Sequence, residues 1–439
     1  MRVAAQNGRM TSHFLRRSRL ALLLGLVVVA SACGPAVRSA GQTPPASAAP
    51  IGSNPPPSAD GSPLSPDLAV YAAIESQVEA IRGLRSTTPV TPVLLDSKGM
   101  SDALTKANAE GTDHQALANE SRLFIHLGLL PAGSSLEQME LDLMVGQVVG
   151  FYDTVTKGLY VLSESGGIGP VEKVTFAHEY THALQDQNFG LDKLATDTAD
   201  QGDRDLARTA LPEGDATLSM TQWMLSNLSA AELAAVAGDS SSAAQAKQLA
   251  SAPAILRGTL LFPYEQGLVF VQRIYAQGGW AAVDRIYANP PDSTSQILHP
   301  ELYAAGVKPV PVTIPAVPAS LGSGWNLTMQ DTMGELQLRI WLEGESATDA
   351  ATAAATSATS AWGGDRIGLY EGPDGAWAVV LQTNWRTAEG RAAFQNAATS
   401  KSGRLPGPAV VCANGTGVAL YVASSVAALE AFAGCRPPL

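Results

Sequence analysis

The chain has 439 residues, of which 46% are hydrophobic and 15% are charged. This composition excludes global disorder, and at about 150 residues per domain the length predicts two or three domains. The 40 acidic residues outnumber the 28 Lys and Arg residues, which gives a net charge of -12. Because phosphates repel such a polyanion, we expect no nucleic-acid partner.

Residues 1–32 predict a secretory signal peptide. A basic stretch precedes an apolar run from Leu20 to Ala30, which is too short to span a membrane comfortably. The residues from Ala30 to Gly34 read Ala-Ser-Ala-Cys-Gly, which resembles a bacterial lipobox. We therefore expect Cys33 to carry a lipid anchor, with an ordinary signal peptide cleaved nearby as the alternative. Both predict a location outside the cytoplasm, either anchored to the cell membrane as a lipoprotein or secreted.

Residues 33–66 predict an extended linker. They are rich in Pro, Ala and Ser and hold few large apolar side chains. Such a segment cannot form a core and favours polyproline-like structure. We expect it to hold the folded part of the chain away from a membrane.

Residues 67–320 predict a mainly helical domain with one β-hairpin before a long helix that begins near Pro170. Apolar residues recur at helical spacing in most of this segment, whereas two apolar strands flank a Thr-Val-Thr-Lys-Gly turn. Pro170 suits a helix start, because its missing N–H has no intrahelical role there. The predicted elements are helices over 68–83, from 97 or 101 onwards, around 123–129, and over 170–187, 204–228, 230–252 and 265–288, with strands over 92–96, 147–153 and 159–162.

Residues 321–439 predict a small α+β domain. A Pro- and Val-rich stretch over 309–318 is typical of a connector between domains. Beyond it, helical and strand patterns alternate, so the fold class predicted for the chain is α+β. The predicted elements are helices over 334–342, 347–361, 388–398 and 424–432, with strands over 366–370, 376–383, 409–412 and 417–422.

Two cysteines, Cys412 and Cys435, lie near the C-terminus. In an oxidising compartment we expect a disulfide between them, and two free thiols are the alternative.

The strongest chemical signal is the sequence His-Glu-Tyr-Thr-His at 178–182. On a helix, His178 and His182 stand one turn apart and can present ring nitrogens to one Zn²⁺, while Glu179 lies beside the open coordination position. The absence of Pro and Gly between 171 and 189 favours that helix. We therefore expect one zinc ion per chain. The alternative is a helix whose histidines make ordinary hydrogen bonds.

A catalytic zinc needs a third protein ligand. Only His299 follows the motif among the histidines, so we favour a carboxylate. Glu213, in Leu-Pro-Glu-Gly-Asp-Ala, is the best candidate, and we expect it to open an apolar helix. A favourable interaction with the helix N-terminus is its alternative role. Asp215 would orient a ligand histidine through its second ring N–H.

These residues resemble the gluzincin branch of zinc metallopeptidases, in which a glutamate on a second helix follows a His-Glu-x-x-His helix. Over residues 68–385 the chain is similar to a group of bacterial secreted or lipid-anchored proteins regarded as metallopeptidases. It departs from thermolysin-like enzymes, where an aspartate follows four residues after the third ligand, because that position is Thr217 here. The resemblance implies a zincin-like domain. The similar strings are Gly150-Phe151-Tyr152-Asp153, Ala177 to Gln187, Glu213-Gly214-Asp215-Ala216 and Gln296-Ile297-Leu298-His299-Pro300.

This set of residues predicts a zinc-dependent metallopeptidase that hydrolyses a protein or peptide substrate. Zinc lowers the pKa of its bound water to about 7, and Glu179 would act as general base. The oxyanion needs a further donor, for which His299 and Tyr264 are candidates. A histidine that caps a turn and a packed tyrosine are the alternatives. The strand over 148–152 is either an edge that pairs with an extended substrate or part of a core hairpin.

Two other functions use the same residues. A non-catalytic lipoprotein that binds zinc or a peptide on a zincin-like scaffold needs the ligands but not the base, so Glu179 favours the enzyme. Hydrolysis of a non-peptide amide, such as a cell-wall cross-link, needs the whole set. The sequence leaves the substrate and the oligomeric state open.

Overall fold

The computed structural model describes residues 66–163, 168–194, 200–345, 348–433 and 435. The predicted signal peptide, Cys33 and the linker up to residue 65 lie outside the described residues. Within the described ranges, no helix combines the length and the apolar character needed to cross a lipid bilayer. Helices and two β-sheets form an α+β fold, which confirms the predicted fold class.

The N-terminal half consists mainly of helices. Several of them begin at a residue whose side chain accepts an N–H of the first turn, as Asp96, Asp113 and Ser135 do. The elements are α1 (Pro66–Arg82), β1 (Pro92–Leu95), α2 (Ser97–Gly111), α3 (His114–His126), α4 (Leu136–Gln147), β2 (Gly150–Asp153), β3 (Gly158–Leu162), α5 (Pro170–Phe189), α6 (Gly202–Asn227), α7 (Ala230–Ala237), α8 (Ser240–Ser251), α9 (Ala254–Ile286), α10 (Thr294–Leu298) and α11 (Pro300–Ala304).

The hairpin predicted before α5 forms one side of a three-stranded sheet. Strands β2 and β3 are antiparallel, and β1 lies parallel to β3 on its other side. The outer edge of β2 faces α5, where an added Cβ at Gly150 would lie 2.8 Å from the Thr175 side chain. The sheet therefore packs directly against the helix that carries the His-Glu-x-x-His sequence.

The C-terminal half contains a five-stranded antiparallel sheet in the order β4-β5-β6-β8-β7. A disulfide joins Cys412 of its last strand pair to Cys435, with Cα atoms 6.3 Å apart. The elements are β4 (Asn326–Asp331), α12 (Gly334–Glu343), α13 (Asp349–Thr359), β5 (Trp362–Glu371), β6 (Trp377–Trp385), α14 (Ala388–Ser402), β7 (Ala409–Asn414), β8 (Gly417–Ala423) and α15 (Val426–Phe432).

One apolar core runs through both halves. It includes Leu211 of α6, Phe262 of α9, Trp341 of α12 and Leu381 of β6. The Pro- and Val-rich stretch between the halves lies along β5, where the Val310 N–H donates to the Gly363 carbonyl at 2.7 Å. The C-terminal half is thus packed onto the helices that form the site described below.

Some local predictions differ from the structure. Helix α4 and strand β4 were not expected; the apolar residues of α4 are spread around the helix and form no single stripe. The helix expected over 230–252 is two helices separated at Gly238. Helix α9 begins earlier than expected and is interrupted at Gly278 and Gly279, the latter with φ 62°.

Candidate metal centre

Helix α5 is buried along most of its length. It begins with Pro170 in its first turn and ends at Gly190, whose left-handed conformation closes the helix. Every residue from Val174 to Asp186 is buried, although many of these side chains are polar. Buried polar side chains need partners, so this face of α5 must meet complementary groups on its neighbours.

Three ligand atoms converge between α5 and α6. The Nε2 atoms of His178 and His182 are 3.0 Å apart, and they lie 3.3 and 3.4 Å from Oε2 of Glu213. All three side chains are at most 1% exposed. Among the residues that the structure describes, this is the only group of three or more His, Cys, Asp or Glu side chains with such convergence. The structure thus brings together the three predicted ligands.

The spacing fits a tetrahedral ion. Zinc binds imidazole nitrogen and carboxylate oxygen at about 2.0–2.2 Å, so two ligand atoms at a tetrahedral angle are about 3.3 Å apart. Both carboxylate oxygens of Glu213 and Nδ1 of His178 are buried without a well-directed hydrogen bond. A buried carboxylate in this state calls for a cation, so the three residues could hold a metal ion.

The two histidines differ in their protonation. Burial lowers the pKa of His178. Burial also opposes the charged form of His182, but the Glu213 carboxylate outweighs it and raises the pKa of His182 to about 9. In turn, His182 outweighs the effect of burial on Glu213 and lowers the pKa of that carboxyl. These directions favour a charged pair of His182 and Glu213 in the metal-free site, so a bound cation would take the place of the His182 proton.

Glu179 lies between the metal ligands and the β-hairpin. Its Oε2 accepts the Tyr152 N–H at 2.9 Å, whereas Oε1 is buried without a hydrogen-bond partner. Burial raises the pKa of Glu179 to about 8. Because the outward N–H of β2 is occupied by this carboxylate, the contacts favour the core-hairpin interpretation of the strand over substrate pairing.

A neighbouring contact fastens the same hairpin to α5. The Tyr152 hydroxyl donates to Asp186 Oδ2 at 2.9 Å, and Lys157 donates to the same oxygen at 2.6 Å. Sequence reasoning noted Tyr152 only as part of a string of residues. Its N–H and hydroxyl together hold the strand beside Glu179.

Glu213 lies in the interior of α6, which agrees with the helix predicted over 204–228, and it does not open a helix as was expected for this residue. Pro212 precedes it inside the helix. The expectation was wrong because a proline favours a first helical turn, whereas here burial and packing carry the helix through it. The next residue, Gly214, meets the backbone of α9: an added Cβ would lie 2.2 Å from the carbonyl carbon of Gly267. Helices α6 and α9 therefore touch through their backbones beside Glu213.

Gln185 was missed by sequence reasoning. Its Oε1 lies 2.8 Å from His182 Nδ1, and its Nε2 donates to the Pro212 carbonyl at 3.0 Å. The available signal was its position three residues after His182, which places both side chains on one face of α5.

Asp215 was expected to form a hydrogen bond to a ligand histidine, but it does not. It accepts two hydrogen bonds from the buried Arg82, at 2.6 and 2.9 Å, and a third from the Tyr287 hydroxyl at 2.7 Å. Arg82 also donates to Asp284 at 2.7 Å and lies 4.4 Å from the centre of the Trp280 ring. These contacts tie α1, α6 and α9 together behind the metal ligands. Because these segments lie far apart in the sequence, no local pattern predicts the contacts between them.

The two candidate oxyanion donors lie in different places. Tyr264 is buried beside the metal ligands, with its ring centre 6.2 Å from that of His178. His299 contacts Glu335 at 2.8 Å through Nε2 and Glu301 at 3.7 Å through Nδ1. No contact within the described part of the chain joins His299 to the metal ligands. Its contacts match the structural alternative.

His299 belongs to a second group of buried residues, where α6 begins and the C-terminal half packs. Glu335 is almost fully buried beneath it. Asp203 accepts the N–H and the hydroxyl of Thr294 at 3.2 and 2.5 Å. We call this group the junction cluster; its members are Asp203, His299, Glu335 and Asp365.

Asp365 has the largest number of donors in the junction cluster. It accepts the N–H groups of Met333 and Gly334, at 2.9 and 2.8 Å, and the indole N–H of Trp362 at 2.9 Å. These bonds cap the start of α12. Burial raises the pKa of Asp203 to about 8 and that of Asp365 to about 6. This cluster is thus built around backbone donors and helix ends.

Comparisons with known proteins give little about function. Residues 326–431 match a family described as a domain of unknown function, DUF8575. No protein of curated function is significantly similar to the chain. A crystal structure from Chloroflexus aurantiacus, described as that of "a putative hydrolase with a novel fold", aligns with 56% of this chain and 92% of that one, at 16% identity and a TM-score of 0.35. This likeness is too distant to establish a shared fold or activity.

Proposed function

We propose that this protein is a zinc-dependent metallopeptidase that hydrolyses peptide bonds outside the cytoplasm. One observation carries the proposal: the Nε2 atoms of His178 and His182 and Oε2 of Glu213 lie 3.0 to 3.4 Å apart, with Glu179 beside them. Two histidines and one glutamate are the protein ligands of a well-known type of catalytic zinc site, which leaves one position for water.

The bound zinc would supply a Lewis acid and lower the pKa of a bound water. Glu179 would accept a proton from the attacking water and deliver it to the nitrogen that leaves as the C–N bond of the peptide breaks. The Tyr152 N–H holds one oxygen of Glu179 at 2.9 Å and leaves the other available for this proton. A nearby cation also favours the charged form of the carboxylate.

Of the two candidate oxyanion donors, only Tyr264 belongs to this proposal. Its ring lies against His178, whereas His299 contacts Glu335 in the junction cluster. The proposed location rests on the sequence of residues 1–66, with a membrane anchor at Cys33. The disulfide between Cys412 and Cys435 is typical of an oxidising compartment and supports that location.

A non-catalytic zinc- or peptide-binding lipoprotein is the second candidate, and one observation favours it. His182, Glu179 and Glu213 are 0% exposed, so a peptide reaches them only if the surrounding elements move apart. A structural zinc site is closed in this way, although it normally has four protein ligands and has no use for Glu179.

Zinc content per chain tests the metal. We expect elemental analysis of the full chain to give close to one zinc after dialysis, and the Glu213→Ala variant to give much less. No zinc in a correctly folded parent would contradict the metallopeptidase and leave a peptide-binding lipoprotein as the working hypothesis.

Hydrolysis of an unfolded protein substrate then separates the enzyme from the binding protein. The Glu179→Gln variant should keep its zinc and lose about 10²- to 10⁴-fold in rate. Glu172→Gln, in the first turn of the same helix, is the matched control and should keep the parent rate. Equal rates in parent and Glu179→Gln would rule out the proposed base, and zinc without hydrolysis in any variant would favour the binding protein.

A further inference from the structure

We infer that Gln185 is the positioning residue of the metal centre: one amide fixes the ring of His182 and the backbone next to Glu213. This inference rests on the proposed zinc site and deepens it. The side chain is uncharged, and its amide oxygen and amide nitrogen contact residues on two different helices. A single residue therefore links two metal ligands that come from separate parts of the chain.

The first half of the amide acts on His182. Gln185 Oε1 is only an acceptor, and it lies 2.8 Å from Nδ1 of the ring. The imidazole must therefore carry its proton on Nδ1, which leaves the lone pair of Nε2 for a metal. The same contact sets the rotation of the ring.

The second half of the amide acts on α6. Gln185 Nε2 donates at 3.0 Å to the carbonyl of Pro212, the residue directly before Glu213. Both Gln185 and Pro212 are buried, so water does not compete for this bond. The bond joins α5 to α6 at the level of the third ligand.

The other ligand histidine lacks such a partner. Nδ1 of His178 is buried with no hydrogen bond in the described part of the chain, and its ring faces Tyr264 instead. His182 is thus the only one of the two ligand histidines that a hydrogen bond to its second ring nitrogen orients. Loss of the Gln185 amide would leave neither histidine oriented in this way.

A neutral amide also suits the charge of the site. Glu213 already places one carboxylate in a buried position. A carboxylate at 185 would add a further negative charge to those of Glu213 and Glu179 and would face the Pro212 carbonyl, with no donor between them. Glutamine satisfies both partners because it holds an acceptor and a donor at one end of the side chain.

The zinc dissociation constant of full-length variants, measured by competition with a chromophoric chelator, tests the inference. Removal of a residue that orients a metal ligand costs about 10- to 100-fold in affinity, and we expect this loss for Gln185→Leu. Gln187→Leu is the matched control, because Gln187 lies on the same helix but bonds the backbone of Thr87 and Thr88. The control should keep the parent affinity even if it lowers the melting temperature.

NMR of the His182 ring in the zinc-loaded protein gives a readout that a purely structural role would not move. We expect the Nδ1–H proton signal of the parent to shift upfield in Gln185→Leu and to return in Gln185→Glu, which keeps the acceptor. Zinc affinity should recover in part in Gln185→Glu, since the bond to Pro212 is still lost.

The outcomes separate this inference from the proposed function. A parent that binds no zinc overturns both. A parent that binds zinc, together with a Gln185→Leu variant of equal affinity and unshifted Nδ1–H signal, overturns the role of Gln185 and leaves the metal site in place. Equal loss in Gln187→Leu would also overturn it, because the effect would then come from the helix as a whole.

Discussion

The metal centre and the junction cluster are both buried groups of acidic residues and histidine, yet they are built differently. In the junction cluster, Asp365 accepts three N–H donors, two of them from the backbone. In the metal centre, Glu213 faces only two imidazole nitrogens and has no well-directed donor. Asp203 and Glu335 of the junction cluster each keep one buried oxygen without a partner among the described residues, whereas both oxygens of Glu213 lack a well-directed donor and two ring nitrogens converge on one of them. This convergence, and not burial alone, distinguishes a cation site from a structural cap.

The largest expected effect concerns the ion pair of Arg82 and Asp215 behind the metal centre, whose side chains are both fully buried. Arg82→Met leaves Asp215 buried without its cation, and loss of one partner of a buried pair costs about 3–5 kcal/mol. Urea denaturation should show this loss. Arg85→Met is the control, because Arg85 pairs with Glu79 at 3.0 Å but its side chain is 78% exposed, and exposed pairs contribute at most about 1 kcal/mol. Equal losses in the two variants would contradict the supporting role of Arg82.

The next effect tests whether the two regions are independent. Asp365→Ala leaves three buried N–H groups without an acceptor. We expect the free energy of unfolding to fall by about 3 kcal/mol or more, since each buried unpaired donor costs about 1–3 kcal/mol. Zinc content should stay at the parent value. A parallel loss of zinc would show that the junction cluster also shapes the metal centre, and would remove the distinction between them.

A smaller effect sharpens the role of Glu213. Free zinc at a hundred times its dissociation constant should stabilise the parent by about 2.7 kcal/mol relative to the chelated protein. We expect the Glu213→Gln variant to gain much less, whereas Glu335→Gln in the junction cluster should gain as much as the parent. Thermal denaturation with and without chelator measures both. Zinc stabilisation of Glu213→Gln equal to that of the parent would remove Glu213 from the ligand set.

The effect that is smallest per step of the experiment, here one pH unit, is a pH dependence in the junction cluster. The folded-state pKa of Asp203, about 8, lies above the ordinary value of 3.8, so the folded state holds this proton more tightly. Its contribution to stability is complete below the ordinary pKa and is lost as pH rises through 8. The neighbouring carboxylates Asp365 and Glu335 add to this increase in the pKa of Asp203, and the pKa values of Asp365 and His299 are raised as well.

Urea denaturation between pH 5 and 8 measures this contribution. We expect stability to fall less steeply with pH in Asp203→Asn than in the parent, by at most about 1.4 kcal/mol per pH unit. Asp102→Asn, an exposed residue paired with Lys98, is the control. An unchanged slope in Asp203→Asn would show that another group carries the pH dependence.

The sequence predicted those parts of the molecule that local patterns determine. The His-Glu-x-x-His spacing indicated α5, and two apolar runs around a turn indicated β2 and β3. Strand patterns in the sequence indicated β5 to β8 of the larger sheet but not β4, all of whose residues lie at least partly exposed at the sheet edge.

Contacts between distant segments were beyond such patterns. Asp215 was expected to face a histidine, but Arg82, which lies 133 residues earlier, takes both of its oxygens. His299 was expected near the metal, but Glu335 binds it in the junction cluster. Gln185 gave a local signal, yet its partner Pro212 lies on another helix. Which side chains pair with one another depends on how the helices cross, and a single sequence does not show that.

The contact of Gly214 with Gly267 has a consequence for how this protein can change over time. At each position an added Cβ would lie 2.2 Å from backbone atoms of the other helix, so no single substitution relieves the crowding that another creates. The two positions should accept only glycine in a library of random variants that keep the fold. The metal ligands could be replaced by residues that suit another metal, or be lost, while the contact between α6 and α9 would stay the same. Descendants of this chain that had lost every metal ligand but kept the fold should still carry both glycines.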